Sequence, residues 1–272
     1  MTSSSILQSP FDPGYEGRTL AWYSAVHIPS YIDTARRSHV LSMHHCKRIR
    51  GVAHEFLIFE VVIIVNENTP PITIFLKVER AGGHANPSSP MTSSSSVSLQ
   101  SAADTSGLSS STNLAYDMVS VHAKKVYVDR EPYETGEAIV FDNDSSFKLA
   151  HASCLFLAVT QYHPQYDFLQ KNCYWFAKCV SQVAQSTYRG RVTPGLPGVK
   201  LGNWRELCIV PATVDSDEAL FAEVAQAWKM LKENTHGFKS SQEASRDLHS
   251  YLEETSSQLC IENQRGSSGI KR

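Results

Sequence analysis

The stretch that decides the fold is His54-Glu55-Phe56-Leu57-Ile58-Phe59-Glu60-Val61-Val62-Ile63-Ile64-Val65, then Asn66 to Pro71, then Ile72-Thr73-Ile74-Phe75-Leu76-Lys77-Val78-Glu79. The first run is rich in Phe, Ile and Val and almost continuously apolar, which is the pattern of a strand covered on both faces. Asn66, Asn68, Pro70 and Pro71 supply turn chemistry, and the apolar pattern resumes at Ile72, so the two runs predict a β-hairpin.

Working outward, Thr34 to Met43 is expected to form a helix. Met118 to Val128, Ala138 to Phe141 and Trp204 to Val210 read as strands, and Lys148 to Gln161 as helix or strand. Phe176, Cys179, Val180 and Val183 recur at helical spacing, giving a helix that opens at Asn172-Cys173, runs to about Thr187 and ends before Gly190. Arg191 to Gly202, with Pro194, Pro197 and several glycines, reads as loop. Leu220, Phe221, Val224, Ala225, Trp228 and Leu231 share one face of an amphipathic helix. The expected class is α+β, an antiparallel sheet packed against helices.

Ala81 to Asn113 is dominated by Ser, Thr, Gly, Pro and Ala and includes the run Ser93 to Ser96. It cannot bury enough apolar surface to offset its ordering entropy, which predicts a disordered Ser-rich insertion within one domain. The expected organisation is a loose tail over 1–18, a domain over 19–212 interrupted at about 81–113, a helical segment over 213–260 packing on that domain, and a second tail over 261–272.

The chain has 272 residues, 42% of them hydrophobic, and a formal charge of −2 from 25 Lys and Arg against 27 Asp and Glu. That is a globular composition without the basic footprint of nucleic-acid binding. The run Phe56 to Val65 is far short of the roughly 20 residues of a membrane helix. The first residues carry no basic-then-apolar secretory signature, so a cytoplasmic or nuclear location is expected. The six cysteines are dispersed and include no Cys-x-x-Cys pair, which predicts reduced thiols and no structural zinc. No cofactor is expected. His39, His44, His45 and Cys46 are the one local cluster of metal-ligand types, and no second set completes a coordination shell.

Cys173 opens a helix. Unpaired backbone N–H groups and the helix dipole there favour the thiolate, the reactive form of the side chain. A nucleophilic thiol needs an imidazole base, and that base needs an orienting group. His54, where a loop becomes the strand, is the candidate base. A hairpin turn centred near Asn66 and Glu67 sets Glu79 opposite His54, making Glu79 the candidate orienting carboxylate, with Lys77 and Arg80 as alternatives. The backbone N–H of Cys173 is a candidate oxyanion donor. Asn172, Tyr174 and Trp175 are the candidate substrate-binding wall.

A His at the head of a strand, a second strand, and then Tyr166-Asp167-Phe168-Leu169-Gln170-Lys171-Asn172-Cys173-Tyr174-Trp175-Phe176-Ala177 resembles the circularly permuted papain-like superfamily. That group includes lecithin:retinol acyltransferase-type and NlpC-type thiol enzymes. The resemblance covers Gly51 to Glu79 and Tyr162 to Thr187, under a quarter of the chain. Those relatives usually carry an acidic residue and a His just after the Cys, where this chain has Tyr174 and Trp175. They often place a second His on the next strand, where this chain has Glu79 or Lys77. The resemblance implies a papain-like fold and a thiol hydrolase acting on a peptide, protein or acyl substrate through Cys173, His54 and Glu79. An inactive papain-like domain serving as a protein-interaction module is the competing expectation, and a metal-binding regulator built on His44, His45 and Cys46 is a third.

Overall fold

The structure is a computed structural model, described over residues 8–50, 54–82, 114–142, 146–166, 172–204, 207–208 and the positions 222, 225, 226 and 229. Its elements are β1 (Glu16–Arg18), α1 (Thr19–Val26), α2 (Pro29–Arg37), β2 (His39–Arg48), β3 (Glu55–Ile63), β4 (Ile72–Gly82), β5 (Ala115–His122), β6 (Tyr133–Val140), α3 (Leu149–Tyr162), α4 (Cys173–Tyr188) and β7 (Arg191–Pro194). A small two-stranded ribbon pairs β8 (Asn203–Trp204) with β9 (Leu207–Cys208).

Seven strands form one sheet in the order β1-β5-β4-β3-β2-β6-β7, with every neighbouring pair antiparallel. Its centre is a four-strand meander, β2 to β5, in which each strand pairs with its neighbour in sequence. The class is therefore α+β, with four α-helices among the described residues.

β3 is covered on both faces, as its apolar run predicts. Leu57, Phe59, Val61 and Ile63 point into the main core, where Trp22, Phe156, Trp175 and Phe176 pack from the helices. Phe56 and Ile58 point the other way and build a small second core with Cys46 and Val128, flanked by Phe75 and Tyr133. α3 resolves as a helix buried along nearly its whole length, Leu149 to Val159, which explains why its sequence shows no polar stripe.

Several expectations are corrected. The helix expected over Thr34 to Met43 is instead α2, ending at Arg37, followed by strand β2. Ser38 is the reason: its backbone is extended, its hydroxyl donates to the Thr34 carbonyl at 2.7 Å, and it accepts the Ile64 N–H at 3.0 Å, so it stops the helix and ties the chain to the end of β3. Residues 8–18, expected in a loose tail, are folded. Phe11 is buried, Trp22 donates to the Pro10 carbonyl at 3.0 Å, and β1 pairs with β5. The loop expected over Arg191 to Gly202 begins as the exposed edge strand β7, where Pro194 at its end costs no interior ladder bond. The stretch expected as one strand from Trp204 divides between β8 and β9.

The segment 83–113, residues 1–7 and the tail over 261–272 lie outside the described residues. Of the expected helical segment 213–260, four helical positions are described: Ala225 packs on the main core, whereas Ala222, Gln226 and Lys229 are exposed. Among the described residues, no helix is long and apolar enough to cross a membrane.

Candidate active site

The hairpin register places the candidate base and carboxylate. β3 pairs with β4 from Phe56↔Glu79 to Ile63↔Ile72, two residues away from the register expected for a turn centred at Asn66 and Glu67. Side chains alternate with a period of two, so an even slip preserves the face. Glu79 therefore lies diagonal to His54 rather than opposite it, and His54 Nε2 still meets Glu79 Oε2 at 2.9 Å.

Cys173 comes from the start of α4, which packs against β3 and β4. Asn172 is extended and caps α4, its side-chain oxygen accepting the N–H groups of Tyr174 at 3.1 Å and Trp175 at 3.2 Å. Such a cap leaves the first turn ordered with the thiol at its positive end. The His54 ring, just before β3 at the end of the sheet, is hydrogen-bonded to the Cys173 thiol as well as to Glu79. Three residues that span more than a hundred positions of sequence thus converge in the order Cys173, His54, Glu79.

Electrostatics follows this geometry. Burial of the His54 ring opposes its charge, but the Cys173 sulfur's field and hydrogen bond, together with those of Glu79, outweigh burial and push the imidazole up to about 9. Burial likewise works against the Glu79 carboxylate. The hydrogen bond from His54 and the field of Lys77 outweigh it and hold the carboxyl well below its usual range. The ring thus lies between the Cys173 sulfur and the Glu79 carboxylate, both of which favour its charged form.

Tyr166 closes over the sulfur. Its hydroxyl is hydrogen-bonded to the Cys173 thiol and receives the Cys173 backbone N–H, while burial and the nearby sulfur raise its own pKa. Its ring lies against Gly82, where an added Cβ would sit 3.0 Å from the ring carbon Cδ1. Just upstream, the Pro164 carbonyl accepts the Ala115 N–H at 2.9 Å, tying this segment to the start of β5. Cys173 is 6% exposed, against 0% for Cys46, Cys154 and Cys179, so it is the least buried of these four free cysteines.

The alternatives to Glu79 are otherwise engaged. Lys77 donates to Glu79 Oε1 at 2.9 Å. Arg80 makes two 2.7 Å hydrogen bonds to its cross-strand partner Asp117, with both side chains wholly buried. The Arg80 guanidinium also lies 5.1 Å from the ring centroids of Trp175 and Phe176, under the first turn of α4. Trp175, expected in the substrate-binding wall, lies wholly buried in the main core. Asn172, 2% exposed, is consumed by the cap. Tyr174 stays beside the thiol, with burial and then the sulfur and Glu55 raising its pKa.

The histidine cluster is divided by the pleat. Cys46 belongs to the second core and His44 to the same face, bonded to Ser42 and Lys125, whereas His45 points the other way, its Nε2 2.8 Å from Glu55 Oε2. Among the described residues, no three such side chains converge to hold a metal ion.

The sequence reading gave no role to Tyr166, although it opens the quoted Tyr166 to Ala177 segment, nor to Asp117 and Asp129. The only signal for the two aspartates was an acidic residue in or beside an apolar strand. Compared with known proteins, the chain matches no family model, no curated protein and no solved structure.

Proposed function

We propose that this chain is a thiol hydrolase of the circularly permuted papain-like kind, acting on an amide, isopeptide or related acyl bond. The observation that carries the reading is the His54 ring, bonded on one side to a thiol at a capped helix N-terminus and on the other to Glu79. In this mechanism His54 takes the Cys173 proton, and the thiolate attacks the substrate carbonyl carbon. The oxyanion forms near the Cys173 N–H. The imidazolium then gives its proton to the leaving group as the carbonyl–leaving-group bond breaks. Water, deprotonated by His54, attacks the thioester and releases the acid and the thiol. Glu79 holds the ring and stabilises its charge throughout. The long Ser-rich segment around 83–113 interrupts this domain between the base and the nucleophile.

The test is labelling with a small electrophilic thiol probe, mapped by mass spectrometry. Cys173 reacts fastest, and Cys173→Ala and His54→Ala each abolish fast labelling without loss of fold. Cys46 stays unmodified at neutral pH, because burial pushes its thiol up to about 11. Equal labelling of the Cys173→Ala protein removes the nucleophile.

One observation favours the second reading, an inactive module. The Tyr166 hydroxyl already holds the Cys173 N–H that an oxyanion needs. If Tyr166 only seals the thiol, Tyr166→Phe accelerates probe labelling but yields no turnover with any acyl substrate.

A further inference from the structure

Behind the His54–Glu79 pair, on the sheet face away from the helices, lies a buried group of charges that the mechanism above does not use. Lys77 Nζ donates to Glu79 Oε1 at 2.9 Å, leaving Oε2 to His54, so each carboxylate oxygen has its own donor. The same ammonium stands 3.5 Å from Asp129 Oδ2 and 5.0 Å from the Phe56 ring centroid. Asp129 is gripped by Arg48, Nε to Oδ2 at 2.8 Å and Nη2 to Oδ1 at 3.3 Å, and Arg48 Nη2 is 3.9 Å from Glu79 Oε2. The Lys77 and Asp129 side chains are 7% and 4% exposed.

We propose that Lys77 and Asp129 are positioning residues for the site, fixing the Glu79 carboxylate from behind and setting the field it presents to His54. The inference rests on the reading of Cys173, His54 and Glu79 given above. Its physical basis is that a carboxylate with one donor rotates about its terminal torsion, whereas one with a separate donor on each oxygen does not. Lys77 also offsets the charge of Glu79, and Asp129 offsets that of Lys77, so the imidazole feels a balance rather than a lone carboxylate. The other groups facing this network are Arg48 from β2, His122 from β5, Glu131 and Tyr133 after β5, and Cys173 with Tyr166 beyond the imidazole. Burial and then Lys77 lower the His122 pKa, against the opposing fields of Asp129 and Glu79.

The charges give opposite signs to two substitutions, which mere loosening of the fold does not. The measurement is the rate of Cys173 alkylation by iodoacetamide from pH 5 to 10 in the full chain, whose alkaline limb reports loss of the imidazolium. Lys77→Met removes a cation and moves that limb up by about 0.5–1 pH unit, with a lower plateau from the freed carboxylate. Asp129→Asn removes an anion and moves it down by about the same amount. Lys77→Arg restores the wild-type position. A limb that stays in place in Asp129→Asn overturns the proposal, even if Lys77→Met does not fold. Failure of the underlying reading looks different: wild-type Cys173 then shows no limb at all, or reacts no faster than the other thiols.

Discussion

His54 Nε2 and Glu79 Oε2 stand 2.9 Å apart although the cross-strand partner of Glu79 is Phe56, two positions along β3 from the histidine. The contact is diagonal, within the reach that long side chains have across an antiparallel pair. It also has a titration consequence.

Since the His54 imidazole is pushed up to about 9 from 6.5, folding favours its charged form. The contribution to stability is complete below about pH 6.5 and is lost as pH rises through about 9, on the order of 1–3 kcal/mol. Urea unfolding of wild type and His54→Gln from pH 6 to 10 checks this: the gap between them narrows towards alkaline pH. A gap that widens counts against the assignment. In Glu79→Gln the alkaline limb of Cys173 alkylation falls towards 6.5.

Arg80 and Asp117 form a wholly buried bidentate pair beneath Trp175 and Phe176. Removing one partner strands the other charge in the core, so Asp117→Ala costs about 3–5 kcal/mol. Arg80→Met with Asp117→Leu, which removes both charges, costs markedly less than Asp117→Ala alone. Denaturant midpoints of the three proteins decide it; equal losses in Asp117→Ala and the double variant exclude the stranded-charge account.

Asn172 satisfies two N–H groups of the first turn of α4. Asn172→Ala costs about 1 kcal/mol and slows Cys173 labelling, because the turn that carries the thiol frays. Asn172→Asp or Asn172→Ser keeps an accepting oxygen and recovers most of the stability. Calorimetry and labelling rates on the same preparations separate the cap from a direct chemical role.

Much of this was legible because the signals are local. The apolar run from Phe56 announces a central strand, and the Asn172-Cys173 junction announces a helix start. The period of two kept Glu79 on the face of His54 even though the register differs by two residues from the one expected. What was not legible depends on tertiary partners. Nothing near Ser38 in sequence shows that it clips onto Ile64 and ends α2, so β2 was partly read as helix. Arg80 and Lys77 look interchangeable on one strand until the pleat sends one to Asp117 and the other to Glu79. Asn172 and Trp175 are expected in a substrate-binding wall from their place beside Cys173, and only the folded chain shows Asn172 capping α4 and Trp175 buried over Arg80.

His54 and Glu79 belong to a single hairpin, while the Cys173 sulfur arrives from a helix more than ninety residues downstream. Hairpins close in microseconds and distant pairings later. A growing polypeptide therefore brings His54 and Glu79 together first, and Cys173 joins them only when α4 docks, so the cluster is assembled only as folding nears completion.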